Sequence, residues 1–250
     1  SVLGDIVETR TFLKKVLGQD GHYCVFAFRT RDDKRIQKFY SSVDHVVDVA
    51  VNLDKEGYDA YFALATFKEA GSRKVDNVKE LNSFFLDLDC GLSKDYKTQE
   101  QAIEALKSFC MKFKLPRPTM INSGRGVHVY WFLTEPVGID NWLPVAERLK
   151  RLCAQNNLLA DPAVTADGAR VLRIPNTHNH KTDPPSKVGL FGNEMTEAIH
   201  INYFAELLGE DVMQVPQKRN QQNNPVLDAL KNNIESVFKD ILVKTQKGKG

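Results

Sequence analysis

This chain of 250 residues has no apolar run long enough to cross a bilayer. Its N-terminus lacks the basic, apolar and small-residue succession of a secretory signal. No membrane partner is expected, and the location expected is cytoplasmic. Cysteine is scarce: Cys24, Cys90, Cys110 and Cys153 are scattered, with no C-x-x-C pair. That argues against a zinc site or a disulfide framework and predicts reduced core thiols. Net charge is almost absent, with 34 Lys and Arg against 32 Asp and Glu, a balance of +2. Overall charge therefore argues neither for nor against a nucleic-acid partner, and any basic surface must be local. Repeats of solenoid period are missing. So is G-x-x-x-x-G-K-[ST], which excludes a P-loop. The opening Ser1 and the lysine-glycine close read as an excised fragment of a longer protein.

What is present suits a sizeable core, since 42% of the residues are hydrophobic. Periodicity predicts helices over 6–17, 43–56, 98–114 and 141–156. Strands are expected at 23–28, 58–66, 84–89, 120–122, 127–133, 170–174, 187–191 and 198–201. Residues 29–38 read as a charged hairpin, and 68–80 as a polar, mobile loop. A linker is expected over 214–225, where two prolines flank a Gln/Asn run, and a last amphipathic helix over 226–243. The alternation of β and α lacks the regularity of a barrel. It points to an α/β (α+β) fold with mixed or antiparallel sheets, such as a ferredoxin-like core with additions.

Three segments carry chemistry. In the first, Phe84-Phe85-Leu86-Asp87-Leu88-Asp89, a hydrophobic strand ends on two carboxylates that point the same way. Like charges so placed repel, and a divalent cation such as Mg²⁺ or Mn²⁺ relieves them. The second, Ser123-Gly124-Arg125-Gly126-Val127-His128, bends sharply. Its glycines can offer backbone N–H groups to phosphate, and His128 can add a donor. The third runs from Asp161 to Lys181 and holds Arg170, Arg173, His178 and His180. If it is extended, Arg170 and Arg173 face opposite sides, one free for phosphate and one paired internally.

In order and combination these segments resemble the archaeo-eukaryotic primase superfamily, in particular the primase-polymerase domains of phages, plasmids and other mobile elements. Asp87 and Asp89 match the family's Asp-x-Asp/Glu pair. Ser123, Gly126 and His128 match its Ser-x-Gly-x-His motif. Asp161 matches its hydrophobe-Asp motif better than Asp167 does. Arg170, Arg173, Pro175, Thr177, Asn179 and Lys181 follow as in mobile-element members, with Asn176 where many relatives have glycine. The likeness covers residues 10–205.

The resemblance implies a primase fold with an RRM/ferredoxin-like catalytic core, an N-terminal α/β lobe and a C-terminal helical extension. The catalytic domain would be residues 1–213, the linker 214–225 and the extension 226–250. It also implies a DNA-directed nucleotidyltransferase, a primase and DNA polymerase. Asp87, Asp89 and Asp161 would be catalytic and hold Mg²⁺ or Mn²⁺. Ser123, Arg125, Gly126, His128, Arg173 and Lys181 would bind the incoming dNTP or NTP. The partner would be a single-stranded DNA template and primer, for which residues 29–38 with Phe39 and Tyr40 are the candidate surface. Relatives often carry a helicase domain downstream, and no helicase motif occurs in this chain. One rival reading is a rolling-circle nickase, with His178 and His180 as a metal pair and Tyr203 as nucleophile. Another is a non-catalytic single-strand-binding module.

Overall fold

The computed structural model describes residues 1–209 and the single positions 233, 236 and 239. Apart from those three positions, the expected linker and terminal helix lie outside the described residues. The first lobe opens with α1 (Val2–Val16), where Ser1 Oγ accepts the Gly4 N–H at 3.0 Å. It begins earlier than the apolar stripe alone indicates. A hairpin follows, β1 (Tyr23–Arg29) and β2 (Lys34–Tyr40), turning at Asp33 with φ 54°. Next comes α2 (Val43–Lys55), capped by Ser42 Oγ, which accepts the His45 N–H. The strand predicted at 58–66 is two, β3 (Asp59–Ala63) and β4 (Ala65–Phe67), and they enter different sheets.

The second lobe is built on β5 (Val78–Leu88), whose apolar centre is buried on both faces. It continues through α3 (Gln99–Phe113), β6 (Thr119–Asn122), β7 (Val127–Gly138) and α4 (Ile139–Gln155). The chain then passes through α5 (Pro162–Thr165), β8 (Val171–Arg173), β9 (His178–Asn179), β10 (Ser186–Lys187) and β11 (Gly189–Leu190). It reaches α6 (Ile201–Leu208). The final strand expected at 198–201 is a correction: Ile199 makes one bridge to Leu133, and the chain turns helical at Ile201.

All strand pairings within the sheets are antiparallel. One sheet has the order β2-β1-β3-β8 and another β11-β6-β7-β5-β4, and β9 and β10 pair separately. The run β5-α3-β6-β7-α4 follows ferredoxin-like order. The place of that motif's fourth strand, beside β5, is taken by the earlier β4, while β8 crosses to the other sheet. Phe12 of α1 ties the sheets together. Its ring meets Phe62 of β3 at 5.7 Å and Tyr130 and Phe132 of β7 at 5.1 and 6.0 Å, all edge-on. Elsewhere Phe84 stacks on Trp142 and Phe204 at 5.8 and 4.9 Å, anchoring α4 and α6. All four cysteines are buried and free. No helix among the described residues is long and apolar enough to cross a membrane.

Because the fully buried Phe12 bridges both sheets, Phe12→Ala should lower stability by about 3–5 kcal/mol. Urea unfolding measures this, and an unchanged midpoint would show that α1 is not integral to the core.

Candidate active site

The site forms where β5 and β7 end beside one another. Asp87 stands opposite His128 in the ladder, so the two side chains share a face. His128 Nε2 lies 3.6 Å from Asp87 Oδ1. Asp89 follows just past the strand end. The third carboxylate arrives from a loop: the Asp161 N–H donates to the Asp87 carbonyl at 2.9 Å. Asp161 also caps α5, its Oδ1 accepting the Ala163 N–H at 2.9 Å. The rival carboxylate Asp167 is occupied by the Ala169 N–H and by Arg170 Nε at 3.1 Å, and it does not border the pocket.

All nine residues predicted for the site border one cavity of about 340 Å³, a volume suited to a small ligand. The glycine turn serves it differently from expectation. Gly124 N–H donates to Asn122 Oδ1 and Gly126 N–H to Ser123 Oγ, so both groups are satisfied within the turn. The glycines instead permit close approach. A Cβ on Gly126 would lie 2.5 Å from the Leu88 carbonyl oxygen, and one on Gly124, at φ +95°, 2.6 Å from Asn179 Cβ. The turn thereby lies against the strand end that carries the aspartates. Asn179 Nδ2 donates to the Ser123 carbonyl at 3.3 Å, and Arg125 Nη2 to the Lys181 carbonyl at 3.0 Å. These bonds hold the second and third segments side by side.

β8 begins only at Val171, so Arg170 lies outside the extended stretch on which their divergence depended, and Arg170 and Arg173 both border the cavity. Arg173 is the internally paired one. Its Nη1 donates to Asp59 Oδ1 at 2.7 Å, both side chains are buried, and its guanidinium sits 4.9 Å over the Tyr61 ring. Sequence reasoning missed Asp59, Tyr61 and Lys94, the last two on the cavity wall. The signal for Asp59 was a carboxylate inside the apolar strand Tyr58 to Leu64. For Lys94 there was none.

Burial, then the neighbouring Asp161, pushes Asp87 up to about 6, with Arg170 and Arg173 pulling the other way. Asp89 is raised by burial and by both other aspartates. Burial, then Arg173, drives His128 down to about 3. The ring is therefore neutral near pH 7 and its approach to Asp87 is not an ion pair. Its Nδ1 is buried with no hydrogen-bond partner in the protein. A neutral imidazole keeps one N–H donor. The carboxylates are hard oxygen donors and fit Mg²⁺ or Mn²⁺ in kind. Among the described residues no three His, Cys, Asp or Glu side chains converge closely enough to cage an ion as they stand.

The nickase reading loses its footing. His178 Nδ1 and His180 Nε2 both bond Asp54, at 2.8 and 2.9 Å, and Tyr203 borders a separate cavity.

No known family model matches the chain. A primase-polymerase domain from cyanophage S-2L superposes with a TM-score of 0.60 at 17% identity, covering 82% of this chain and 97% of that one. The chain adopts the primase-polymerase fold. The catalytic domain of the primase RepB', solved with initiator DNA, gives 0.56 at 14% identity, covering 88% of this chain and all of that domain. In sequence, a replication protein of Clostridium perfringens is 30% identical over 149 residues, 58% of this chain. The matched stretch spans about a third, 35%, of that curated relative's length. The primase-polymerase fold thus agrees with the α+β class and the antiparallel sheets read from sequence.

An aspartate whose folded value lies above its unfolded value of 3.8 keeps its proton longer in the native state. Stability then falls as pH rises from about 4 to about 6 and is level above that. Asp87→Asn removes this penalty. Without divalent cation it should raise Tm by several degrees at pH 8 and leave it unchanged near pH 4. Equal shifts at both pH values would contradict the burial of this carboxylate.

Proposed function

We propose that this chain is the catalytic domain of a replication primase-polymerase, a nucleotidyltransferase that extends a 3′-hydroxyl on a single-stranded DNA template. The observation that carries the reading is the meeting of Asp87, Asp89 and Asp161 with His128 around one cavity, on this fold. Three carboxylates alone repel a polyphosphate, so a purely binding role leaves them without purpose. Asp87, Asp89 and Asp161 would hold Mg²⁺ or Mn²⁺. When bound, such ions neutralise the triphosphate and activate the attacking hydroxyl.

The protein's own groups position the reactants. Neutral His128 donates a hydrogen bond to a phosphate oxygen without adding charge. Arg125, Arg170 and Lys181 border the same cavity and supply the cations a triphosphate needs. Ser123 Oγ accepts from Gly126, which leaves its own proton free to donate. Arg173 acts with one nitrogen committed to Asp59. Chemistry of this kind depends on positioning and charge stabilisation more than on covalent participation. A replicative role in a phage, plasmid or other mobile element accords with the named relatives.

The test is primer extension on single-stranded DNA with Mg²⁺ or Mn²⁺, beside a double variant Asp87→Ala/Asp89→Ala. Metal-dependent extension is expected, absent in the double variant although its circular dichroism is native. A folded wild-type chain that extends nothing with either metal would sink the proposal. His128→Ala should raise the nucleotide KM roughly tenfold or more, the scale of a hydrogen bond to a charged group. Unchanged KM and kcat would remove His128 from the site.

A further inference from the structure

The histidine pair of the third segment has a use other than metal binding. Asp54 stands in the last turn of α2, where a carboxylate opposes the helix dipole. Three donors from one short segment account for it. Asp54 Oδ1 accepts the His178 N–H at 2.8 Å and the His180 Nε2–H at 2.9 Å, and Oδ2 accepts the His178 Nδ1–H at 2.8 Å. An ionised carboxylate has no proton to give, so the rings are the donors. Past the turn at Gly57, with φ +82°, Asp59 opens β3 and takes a fourth donor, the His180 N–H, at 2.9 Å. The corner from α2 to β3 thus grips residues 178 and 180 by backbone and ring alike. Neither histidine borders the catalytic cavity, whereas Asn179 and Lys181 both do. Alternation along an extended chain sorts them in this way, with 178 and 180 turned to Asp54 and 179 and 181 to the cavity. On the cavity side Asn179 Oδ1 accepts the Lys181 N–H at 3.0 Å.

We propose that Asp54 is a positioning residue for the cavity: by clamping His178 and His180 it holds Lys181 where its ammonium meets the phosphates of the ligand. That those phosphates belong to an incoming nucleotide rests on the nucleotidyltransferase reading above. A lysine side chain is a point charge on a flexible stem, so its backbone is the part the fold can place. Without Asp54 the segment keeps the single bond from His180 to Asp59 and loses both ring contacts. Lys181 then ranges more widely and binds phosphate more weakly. The carboxylates are held by other means, Asp87 by the β5–β7 ladder and Asp161 by its N–H on the Asp87 carbonyl. Loss of the clamp therefore lowers nucleotide affinity and spares the chemical step. The His-x-His spacing follows from this role, since residues two apart face the same side and leave the one between them to the cavity.

Calorimetric titration of the whole chain with dATP and Mg²⁺, without primer or template, tests the proposal. Asp54→Ala should weaken binding roughly tenfold, the scale of losing a group that orients a binding side chain, with native circular dichroism. Lys181→Ala should weaken it at least as much, and the double variant no more than Lys181→Ala alone, because Asp54 acts through Lys181. His178→Ala/His180→Ala removes the clamp from its other side and should match Asp54→Ala. Asp54→Asn should bind like wild type at pH 8. Its amide oxygen accepts two of the bonds, and its amide N–H donates to His178 Nδ1 once that ring carries its proton on Nε2. In primer extension Asp54→Ala should raise the nucleotide KM and spare kcat. A folded Asp54→Ala chain that binds like wild type overturns the proposal, and so do losses that add in the double variant. If Asp54→Ala fails to fold, the histidine variant enters the same cycle with Lys181→Ala and decides. Non-additive losses of dATP binding in a chain that extends no primer keep the clamp and remove the polymerase. Additive losses in an active chain do the reverse, and a wild-type chain that binds no dATP overturns the clamp.

Discussion

The pairing of β5 with β7 is the constraint on which the site depends. Side chains alternate along a strand, so a slip of one residue would send Asp87 to the opposite face from His128. The register is fixed by what surrounds it. Phe84 is clamped between Trp142 and Phe204, and Tyr130 packs against Phe12. At the open end, Gly126 lies so close to the Leu88 carbonyl that no side chain fits. A close-packed core therefore sets the position of a polar pair at its rim.

Charge explains the rest of the arrangement. Asp161 is fastened to Asp87 through backbone atoms, so the two carboxylates cannot relax by swinging the loop away. Their repulsion is moderated by Arg170 and Arg173, not removed, and Asp87 remains raised. The buried charge of Arg173 is compensated by Asp59, buried beside it. Breaking such a pair leaves an uncompensated charge and is strongly destabilising. Arg173 therefore links the stability of the first sheet to the electrostatics of the second.

Much of this was legible in the sequence, and the parts that were not share a cause. Asp87 and Asp89 end an apolar run, and Ser123 to His128 is a bend between two strands, so both were readable from local pattern. The helices over 43–56 and 98–114 were equally local, each set by its own apolar period. The break at Leu64 was hidden because β3 and β4 form one apolar run and divide only through their separate partners. The role of the glycines was misjudged for the same reason. What Gly126 must accommodate is Leu88, 38 positions earlier, which no spacing rule reveals. The helix at 201–208 was not foreseen, because the strand expected over 198–201, read from the alternation around His200, overlaps it only at Ile201. The partnership of Arg173 with Asp59, 114 residues apart, is likewise a tertiary fact.

The electrostatic strain and the neutral histidine belong to one design. If the cavity takes a polyanion with its counter-ions, as proposed, it must hold carboxylates close together before those ions arrive, at the expense of stability. Protonating His128 would ease the repulsion but would also fill the cavity with a fixed cation. Burial and Arg173 prevent that, and His128 stays a donor without charge. Of the cations that border the cavity, Arg125 and Lys181 are exposed, Arg170 is half-buried beside Asp167, and Arg173 is buried against Asp59. The cavity therefore sets half-buried carboxylates and a neutral, buried ring beside exposed cations, with the buried Arg173 held by Asp59. On the proposed reading, this mixture of carboxylates and cations suits an anionic ligand that arrives with divalent cations.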